Sequence, residues 1–207
     1  MYTYLSQMIK LIICRKKWRN KNLHNYTSVK NLFSLEKVSV GKKTYGALMV
    51  RDFGEKDSGL EIGNYCSIAN GTEFILGGEH SYKNLSTFPF KRYFGDGQIE
   101  SFSKGIIRIE DDVWIGANCT ILSGITIGKG CVVGAGSVVR SSIPPYCIFV
   151  GDKVVKKRFS DVTINRLQAF DWSSLTKEEI SNNLESIYSF DELELDNNKL
   201  IEISKDR

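Results

Sequence analysis

A six-residue spacing of aliphatic side chains constrains this chain more than any other feature. The spaced residues are Ile109, Ile115, Ile121, Ile127, Val133 and Val139, and a second series stands two positions ahead of each: Ile107, Val113, Cys119, Ile125, Cys131 and Ser137. Such a fixed short period is typical of a β-helix, in which stacked coils of short strands share one apolar core. The spacing therefore predicts a mainly β protein built as a parallel β-helix of hexapeptide repeats.

The physical basis of the repeat is the alternation of side chains along a strand. Because successive side chains point to opposite faces, one aliphatic residue in each repeat fills the axis of the solenoid. The residue two positions before it lies at the bend between strands. Gly116, Gly128 and Gly134 each follow an axis residue, where glycine tolerates the tight backbone of a corner. A single coil buries little apolar surface, so several must stack, and the flat faces favour a cyclic oligomer.

The repeat divides the chain into three parts. Residues 1–37 form a basic leader that we predict to be helical in part, and residues 38–150 carry the β-helix. Residues 151–207 are predicted to form a C-terminal helical segment and a tail. Within the β-helix the pattern lapses at residues 47–59, which we expect to be a loop.

An insertion interrupts the β-helix. Phe74 and Ile109 both fit the repeat but stand 35 positions apart, which is not a multiple of six. Residues 75–106 are therefore predicted to be an inserted loop, and a loop of this length within a regular array is usually functional. Its aromatic residues favour an ordered loop that packs on another surface: Tyr82, Phe88, Phe90, Tyr93, Phe94 and Phe102.

The C-terminal part carries helix signals. Pro144-Pro145 ends the repeat, because a central strand cannot contain proline. Ser160-Asp161 supplies a cap for a helix that runs toward Phe170. Thr176–Glu179 has the pattern of a capping box and predicts a second helix. We expect these helices to cover the last coil, whose open edge would otherwise pair with other chains.

The composition excludes several classes of protein. With 42% hydrophobic residues, the chain is globular rather than disordered. No run of about 18 apolar residues exists, so a membrane-spanning helix is not expected. Ile9–Cys14 is too short and wrongly flanked for a secretory signal, and we predict a cytoplasmic protein. The five cysteines lack metal-ligand spacing, so no metal is predicted, and nothing resembles a nucleic-acid-binding module.

The positive charge is concentrated at the start of the chain. No acidic residue precedes Glu36, whereas seven basic residues do: Lys10, Arg15, Lys16, Lys17, Arg19, Lys21 and Lys30. Beside Trp18 and the apolar run Leu11–Ile13, these charges fit a leader that lies on an anionic membrane surface. The alternative is a solvated, partly helical arm that packs on a neighbouring subunit. The sequence leaves both open.

Several short motifs, in a fixed order, resemble one enzyme family. They are Ile62–Ile68 (IGNYCSI), His80 in the inserted loop, Ser86–Phe90 (STFPF) and Asp112–Gly116 (DVWIG). Together they are similar to the left-handed β-helix acyltransferases, in the xenobiotic acetyltransferase branch with its chloramphenicol, streptogramin and sugar O-acetyltransferases. The resemblance implies a left-handed parallel β-helix with an inserted active-site loop and a C-terminal helical cap. It also implies an acetyl-CoA-dependent O-acetyltransferase, working as a homotrimer with active sites between subunits.

His80 is the catalytic candidate. Acetyl transfer to a hydroxyl requires a base that titrates near neutrality, which suits histidine, and the chain contains only His24 and His80. A histidine in a loop is more often an ordinary surface residue, and it is the resemblance that assigns His80 as general base. It would deprotonate the acceptor and return the proton to the leaving thiolate. No Cys-His motif is recognisable, so direct transfer without an acyl-enzyme is expected.

The resemblance also implies where acetyl-CoA would lie. A tryptophan would flank the reactive end, small corner residues would admit the pantetheine arm, and basic residues would meet the phosphates. Each has a plainer alternative: a subunit contact for the tryptophan, corner geometry for the small residues and a solvated basic turn for the lysines. The candidates are Trp114, Gly116, Ala117, Gly134, Ala135, Lys153, Lys156 and Lys157.

Four residues are candidates for the acceptor pocket. The resemblance assigns Tyr45 to it, with Glu79, Tyr82 and Phe88 as further members, although Tyr45 could instead pack on the leader. The acceptor that we favour is a sugar hydroxyl of a surface polysaccharide or glycolipid, because of the basic leader. Antibiotic inactivation, acting on chloramphenicol or a streptogramin, and N-acetylation of an amino sugar are the alternatives.

Overall fold

Short parallel strands dominate the computed structural model, which describes residues 2–193 and 198–201. The strands are β1 (Tyr26–Val29), β2 (Val38–Val40), β3 (Tyr45–Arg51), β4 (Leu60–Ile62), β5 (Ser67–Ile68), β6 (Glu73–Ile75), β7 (Ile107–Ile109), β8 (Trp114–Ile115), β9 (Thr120–Ile121), β10 (Thr126–Ile127), β11 (Val132–Val133), β12 (Val138–Val139), β13 (Cys147–Val150) and β14 (Lys153–Lys157). The helices are α1 (Tyr2–Lys21), α2 (Phe90–Phe94), α3 (Asp161–Ala169), α4 (Lys177–Asn182) and α5 (Leu184–Tyr188).

Strand pairing turns the hexapeptide period into a coil of three sides. Trp114 pairs with Val132, and Ile121 pairs with Val139, so between residues 107 and 139 each strand of one coil lies beside the strand 18 residues later. Three repeats of six residues therefore complete one turn of the solenoid. The first face contains the start of β3, then β5, β8, β11 and β13, and the second face contains the end of β3, then β6, β9 and β12. The third face contains β2, β4, β7 and β10.

The core lies on the axis, as the spacing predicted. All twelve residues of the two series are buried, with at most 6% of any side chain exposed among the apolar members. Ser137 is the polar exception, and its hydroxyl donates to the carbonyl of Gly134 at 2.6 Å and accepts from Gly151 N–H at 3.1 Å. These two bonds offset the cost of burying that hydroxyl.

The first coil departs from the predicted pattern. The loop expected at residues 47–59 is wrong in its first part, because β3 continues through Arg51 and supplies buried Leu48 and Val50. This one strand passes from the first face to the second around Gly46, where φ is +132° and an added Cβ would lie 2.2 Å from the Ile68 carbonyl oxygen. The leader also contributes β1, which pairs in parallel with β3 and was not anticipated.

The C-terminal segment lies along one corner of the solenoid. β14 pairs antiparallel with β13 and extends the first face. The helices then pack on the corner between the third and first faces, where the Tyr146 hydroxyl donates to the carbonyl of Leu167 at 3.1 Å and the rings of Tyr65 and Trp172 are 6.3 Å apart. These contacts span several coils, whereas the sequence predicts that the helices cover only the last coil. The predicted capping box between Thr176 and Glu179 is present, whereas most of the expected tail lies outside the described residues.

Helix α1 packs against the beginning of the solenoid. Cys14 and Trp18 are buried with the main core, and the Trp18 indole N–H donates to the Thr27 hydroxyl at 3.1 Å. The helix therefore covers apolar groups that the first coil would otherwise expose. Over the described residues, none of the helices combines the length and the apolar character needed to cross a membrane.

Two adjacent valines in β12 allow a test of which side chains point to the axis and which point to solvent. Val139 is fully buried on the axis and Val138 is 45% exposed. Val139→Ala removes two buried carbon groups and leaves a cavity, so we expect it to lower the free energy of unfolding by about 2 kcal/mol. Val138→Ala should change it by less than about 0.5 kcal/mol. Denaturant unfolding of both variants measures the difference, and equal effects would contradict the assigned register.

Candidate active site

His80 is held by a backbone contact that fixes its tautomer. Its Nδ1 lies 2.9 Å from the carbonyl oxygen of Thr87, and the ring is otherwise exposed. A carbonyl oxygen can only accept, so Nδ1 carries the proton and donates it. In the neutral ring the lone pair is then on Nε2, which is left available to accept a proton from another molecule.

Glu79 secures the base of the inserted loop. Its Oε1 accepts from the Ser123 hydroxyl at 2.8 Å and lies 3.9 Å from Lys104 Nζ, and its backbone exchanges two hydrogen bonds with Phe102. Its Oε2 is buried and has no partner among the described residues. Glu79 was expected in the acceptor pocket. Its carboxylate is instead directed at the solenoid, where it ties the loop to the corner between the second and third faces.

A second carboxylate braces the same corner. Glu55 accepts from Gly78 N–H at 3.0 Å and from the Ser101 hydroxyl at 2.6 Å, so it joins both ends of the insertion to the preceding loop. Burial raises the pKa of Glu55, but these hydrogen bonds more than compensate and hold it below the usual value. The ionised carboxylate is therefore favoured, and the insertion starts and ends on a fixed base.

The insertion presents a cluster of aromatic rings. The ring centroid of Phe88 is 4.9 Å from that of Phe90 and 5.3 Å from that of Tyr93. All three keep about half or more of their side-chain surface exposed, and Tyr82 is 82% exposed elsewhere in the loop. Tyr82 and Phe88, both acceptor candidates, thus lie on the same insertion as His80.

Trp114 and Tyr45 lie on the first face. Both point outward, with 55% and 53% of their side chains exposed. Each pairs with Ser67 in the intervening strand, so the serine stands between them in one row across the face. Val132 continues this row beyond Trp114. The four residues form an open wall with aromatic, hydroxyl and aliphatic surfaces.

The small candidate residues stack at the corner between the first and second faces. Gly116 and Ala117 follow β8, and Gly134 and Ala135 follow β11 one coil later. An added Cβ on Gly116 would lie 2.6 Å from the Ala135 backbone nitrogen. The coils are therefore in close contact at this corner, and a larger residue at position 116 has no room.

The three candidate lysines lie on β14 at the end of the first face. All are exposed, but they differ in their partners. Lys157 donates to the Asp161 carboxylate, which raises the pKa of the lysine. Lys153 and Lys156 have no carboxylate partner within the described part of the chain. They, and not Lys157, retain an uncompensated charge for an anionic ligand.

One protomer does not bring the two halves of this site together. The insertion leaves the solenoid at the corner between the second and third faces, which is opposite the first face. Glu79 is fixed there by Ser123, and consecutive Cα atoms are only about 3.8 Å apart, so His80 stays at that corner. Trp114 and Tyr45 are on the far side of the same protomer. Within one protomer, His80 and these two aromatic side chains therefore lie on different sides of the solenoid.

Some residues at the site were not predicted. Val132 could have been found from the 18-residue offset, because it pairs with Trp114. Ser67 shares the same outward row but stands 47 positions before Trp114, across the insertion, so the offset does not reach it. The Thr87 carbonyl could not, since any residue type supplies a backbone carbonyl. Ser123 and Glu55 act through long-range hydrogen bonds that leave no local pattern.

Comparisons with known proteins agree with the repeat. The bacterial transferase hexapeptide (six repeats) family model matches residues 107–141. A probable macrolide acetyltransferase from Lysinibacillus sphaericus is 42% identical over 140 residues, which cover 63% of this chain and 77% of that protein. The chain belongs to the hexapeptide-repeat acetyltransferases.

Two further relatives support this assignment. A chloramphenicol acetyltransferase from Agrobacterium fabrum is 34% identical over 148 residues, covering 63% of this chain and 71% of the relative. A crystal structure of a hexapeptide-repeat acetyltransferase from Vibrio cholerae superposes with a TM-score of 0.54 at 28% identity, over 69% of this chain and 78% of that one. The Vibrio cholerae protein has also been solved in complex with acetyl-CoA, with a TM-score of 0.50 at 27% identity, over 66% of each chain.

The cysteines of this acetyltransferase offer no nucleophile. All five are free thiols and all are buried. Burial raises the pKa of Cys66 to about 12 and that of Cys131 to about 12, so neither forms a thiolate near neutral pH. No group of three metal-ligating side chains is found over residues 2–193 and 198–201.

Thiol reactivity tests this environment. We expect none of the five cysteines to react rapidly with Ellman's reagent in the folded acetyltransferase at mildly alkaline pH, because the thiols are buried and protonated. All five should react after denaturation. The increase in absorbance counts the reactive thiols. If one thiol per folded chain reacted as fast as a small free thiol, the enzyme would contain an activated cysteine and direct transfer would lose its support.

Proposed function

We propose that this enzyme transfers the acetyl group of acetyl-CoA to a sugar hydroxyl of a surface polysaccharide or glycolipid, with His80 as general base. The observation that carries the proposal is the contact between His80 Nδ1 and the Thr87 carbonyl at 2.9 Å. In the neutral ring this contact leaves the lone pair on Nε2, and a general base requires such a lone pair. The complex of the Vibrio cholerae relative with acetyl-CoA supports the choice of donor.

The chemistry assigned to His80 is a direct transfer. Acetyl-CoA supplies an acetyl group activated as a thioester. His80 Nε2 takes the acceptor's hydroxyl proton as that oxygen forms a bond to the acetyl carbon. The imidazolium then returns the proton to the sulfur as the carbon–sulfur bond breaks, so the enzyme ends in its starting state. The Thr87 carbonyl keeps the ring in one orientation through both steps.

We further propose that the chain forms a homotrimer of left-handed β-helices with active sites between subunits. The separation of His80 from Trp114 and Tyr45 within one protomer supports this assembly. Flat solenoid faces also favour cyclic association. In the trimer, the insertion of one subunit would meet the first face of its neighbour, so that each site takes its base from one chain and its aromatic wall from another.

Residues of the first face and its neighbouring corner fit a CoA-type ligand. Lys153 and Lys156 carry free positive charge for the phosphates, as charge-assisted hydrogen bonds require. Gly116 and the small residues stacked with it bring little side-chain bulk to this corner, which would admit a narrow pantetheine arm. Trp114 would shield the thioester from water. Ala117, Gly134 and Ala135 would line the same route, whereas Lys157, already paired with Asp161, would contribute less.

The aromatic surfaces favour a sugar as the acceptor. Tyr45, Tyr82 and Tyr93 each offer a ring face and a hydroxyl, and a sugar ring presents apolar C–H groups together with hydroxyls. Phe88 would extend the apolar surface beside His80. A second candidate is the hydroxyl of an antibiotic. The relatives that are named as probable macrolide and chloramphenicol acetyltransferases favour that alternative.

Substitution of His80 tests the mechanism. His80→Ala and His80→Gln should lower kcat by about two to four orders of magnitude, because both remove the base, with a much smaller effect on the KM for acetyl-CoA. The matched control is His24→Gln at the second, exposed histidine, which should keep wild-type turnover. Acetyl-CoA-dependent thiol release measures all three variants. Wild-type kcat in His80→Ala would overturn the mechanism.

The acceptor class is tested in the same assay with a panel of compounds. We expect turnover with simple or lipid-linked sugars to exceed that with chloramphenicol, a streptogramin or a macrolide, with transfer to oxygen verified by mass spectrometry. Faster turnover with an antibiotic would replace the sugar assignment with the second candidate. Transfer to the nitrogen of an amino sugar would instead contradict hydroxyl acetylation.

A further inference from the structure

We infer that helix α1 binds the surface of an anionic lipid bilayer through an apolar stripe that faces away from the solenoid. The stripe consists of Leu5, Met8, Ile9, Ile12 and Ile13. Each of these side chains is 48–60% exposed. Their spacing places them on one side of a helix, since residues three, four, seven and eight positions apart share a face. The inference is independent of the acceptor proposed above.

This stripe is separate from the face with which α1 packs on the protein. Leu11, Cys14 and Trp18 make that contact, and they too have helical spacing. With about 3.6 residues per turn, the two faces lie on roughly opposite sides of the helix. A helix that only capped the solenoid would present polar residues outward. A contiguous apolar outer face of this kind marks a surface that interacts with a protein or a membrane.

The charge around the stripe identifies that surface. Lys10, Lys16 and Lys17 are exposed, and no carboxylate pairs with them in the described part of the chain. Lys16 continues the stripe by one turn, while Lys10 and Lys17 lie along one border. Apolar side chains flanked by lysines fit the interface of a membrane, where the chains enter the acyl boundary and the ammonium groups meet anionic headgroups.

A second copy of this helix is a poorer partner for the stripe. The leader contains no acidic residue before Glu36, and that residue already pairs with Lys21 at 2.8 Å. Two such helices packed along their stripes would bring their lysines together without counter-charges. An anionic bilayer supplies those charges over a continuous surface, so we assign the stripe to the bilayer.

Vesicle sedimentation of the full chain tests the inference. We expect the wild type to sediment with vesicles of phosphatidylcholine and phosphatidylglycerol, less so at high salt, and not with phosphatidylcholine alone. The double variant Ile9→Gln and Ile12→Gln should lower the partition coefficient at least tenfold. Val162→Gln with Leu184→Gln is the matched control at exposed apolar residues of α3 and α5, and it should bind as the wild type does.

A second variant keeps the test decisive if the first loses its fold, as judged by circular dichroism. This triple variant carries Lys10→Gln, Lys16→Gln and Lys17→Gln, which change only exposed side chains. It should weaken binding to vesicles that contain phosphatidylglycerol at least tenfold. Failure of the wild type to bind these vesicles would overturn the inference, as would unchanged binding by a folded stripe variant. Size-exclusion light scattering gives the oligomeric state of the stripe variant. If that variant loses the oligomer and the wild type does not bind vesicles, the stripe contacts a second protein copy.

Discussion

Between residues 107 and 139, paired strands are offset by 18 residues, and this offset sets the position of every side chain in that part of the solenoid. Ile121 lies over Val139 because three repeats close one coil, and the aliphatic side chains at these positions fill a continuous axis. Each outward side chain then has a fixed face and height. Each coil contributes a small part of the buried apolar surface. A polar loop at one corner therefore removes little of the stability of the core.

Each corner of the solenoid carries a different part of the protein. The inserted loop leaves the corner between the second and third faces, small residues stack at the corner between the first and second faces, and the C-terminal helices pack at the remaining corner. This arrangement keeps His80 apart from Trp114 within a single chain. The proposed assembly would join His80 to Trp114 by placing the loop of one copy over the first face of the next.

The periodic part of the fold was predictable, and the irregular part was not. Residues 107–139 repeat without interruption, so each buried position followed from the spacing alone. In contrast, β3 passes a corner as one continuous strand. Its seven residues do not follow the six-residue period of the short strands. At the site, chemistry limited the candidate bases to two histidines, and the family resemblance selected His80. The Thr87 carbonyl that orients it is a backbone group, which any residue type supplies. The Glu79 carboxylate that anchors its loop accepts from Ser123, 44 residues away, and no local pattern encodes that contact.

Mixed oligomers measure most directly whether the site is shared between copies. His80→Ala chains keep an intact first face, and Trp114→Ala chains keep an intact base, so each homo-oligomer should be nearly inactive. Doubly tagged mixed trimers contain one complete site whatever their stoichiometry, so a site shared between copies should give roughly one third of wild-type turnover. Mixed oligomers as inactive as either parent would contradict it, because the histidine and the tryptophan would then have to act within one chain.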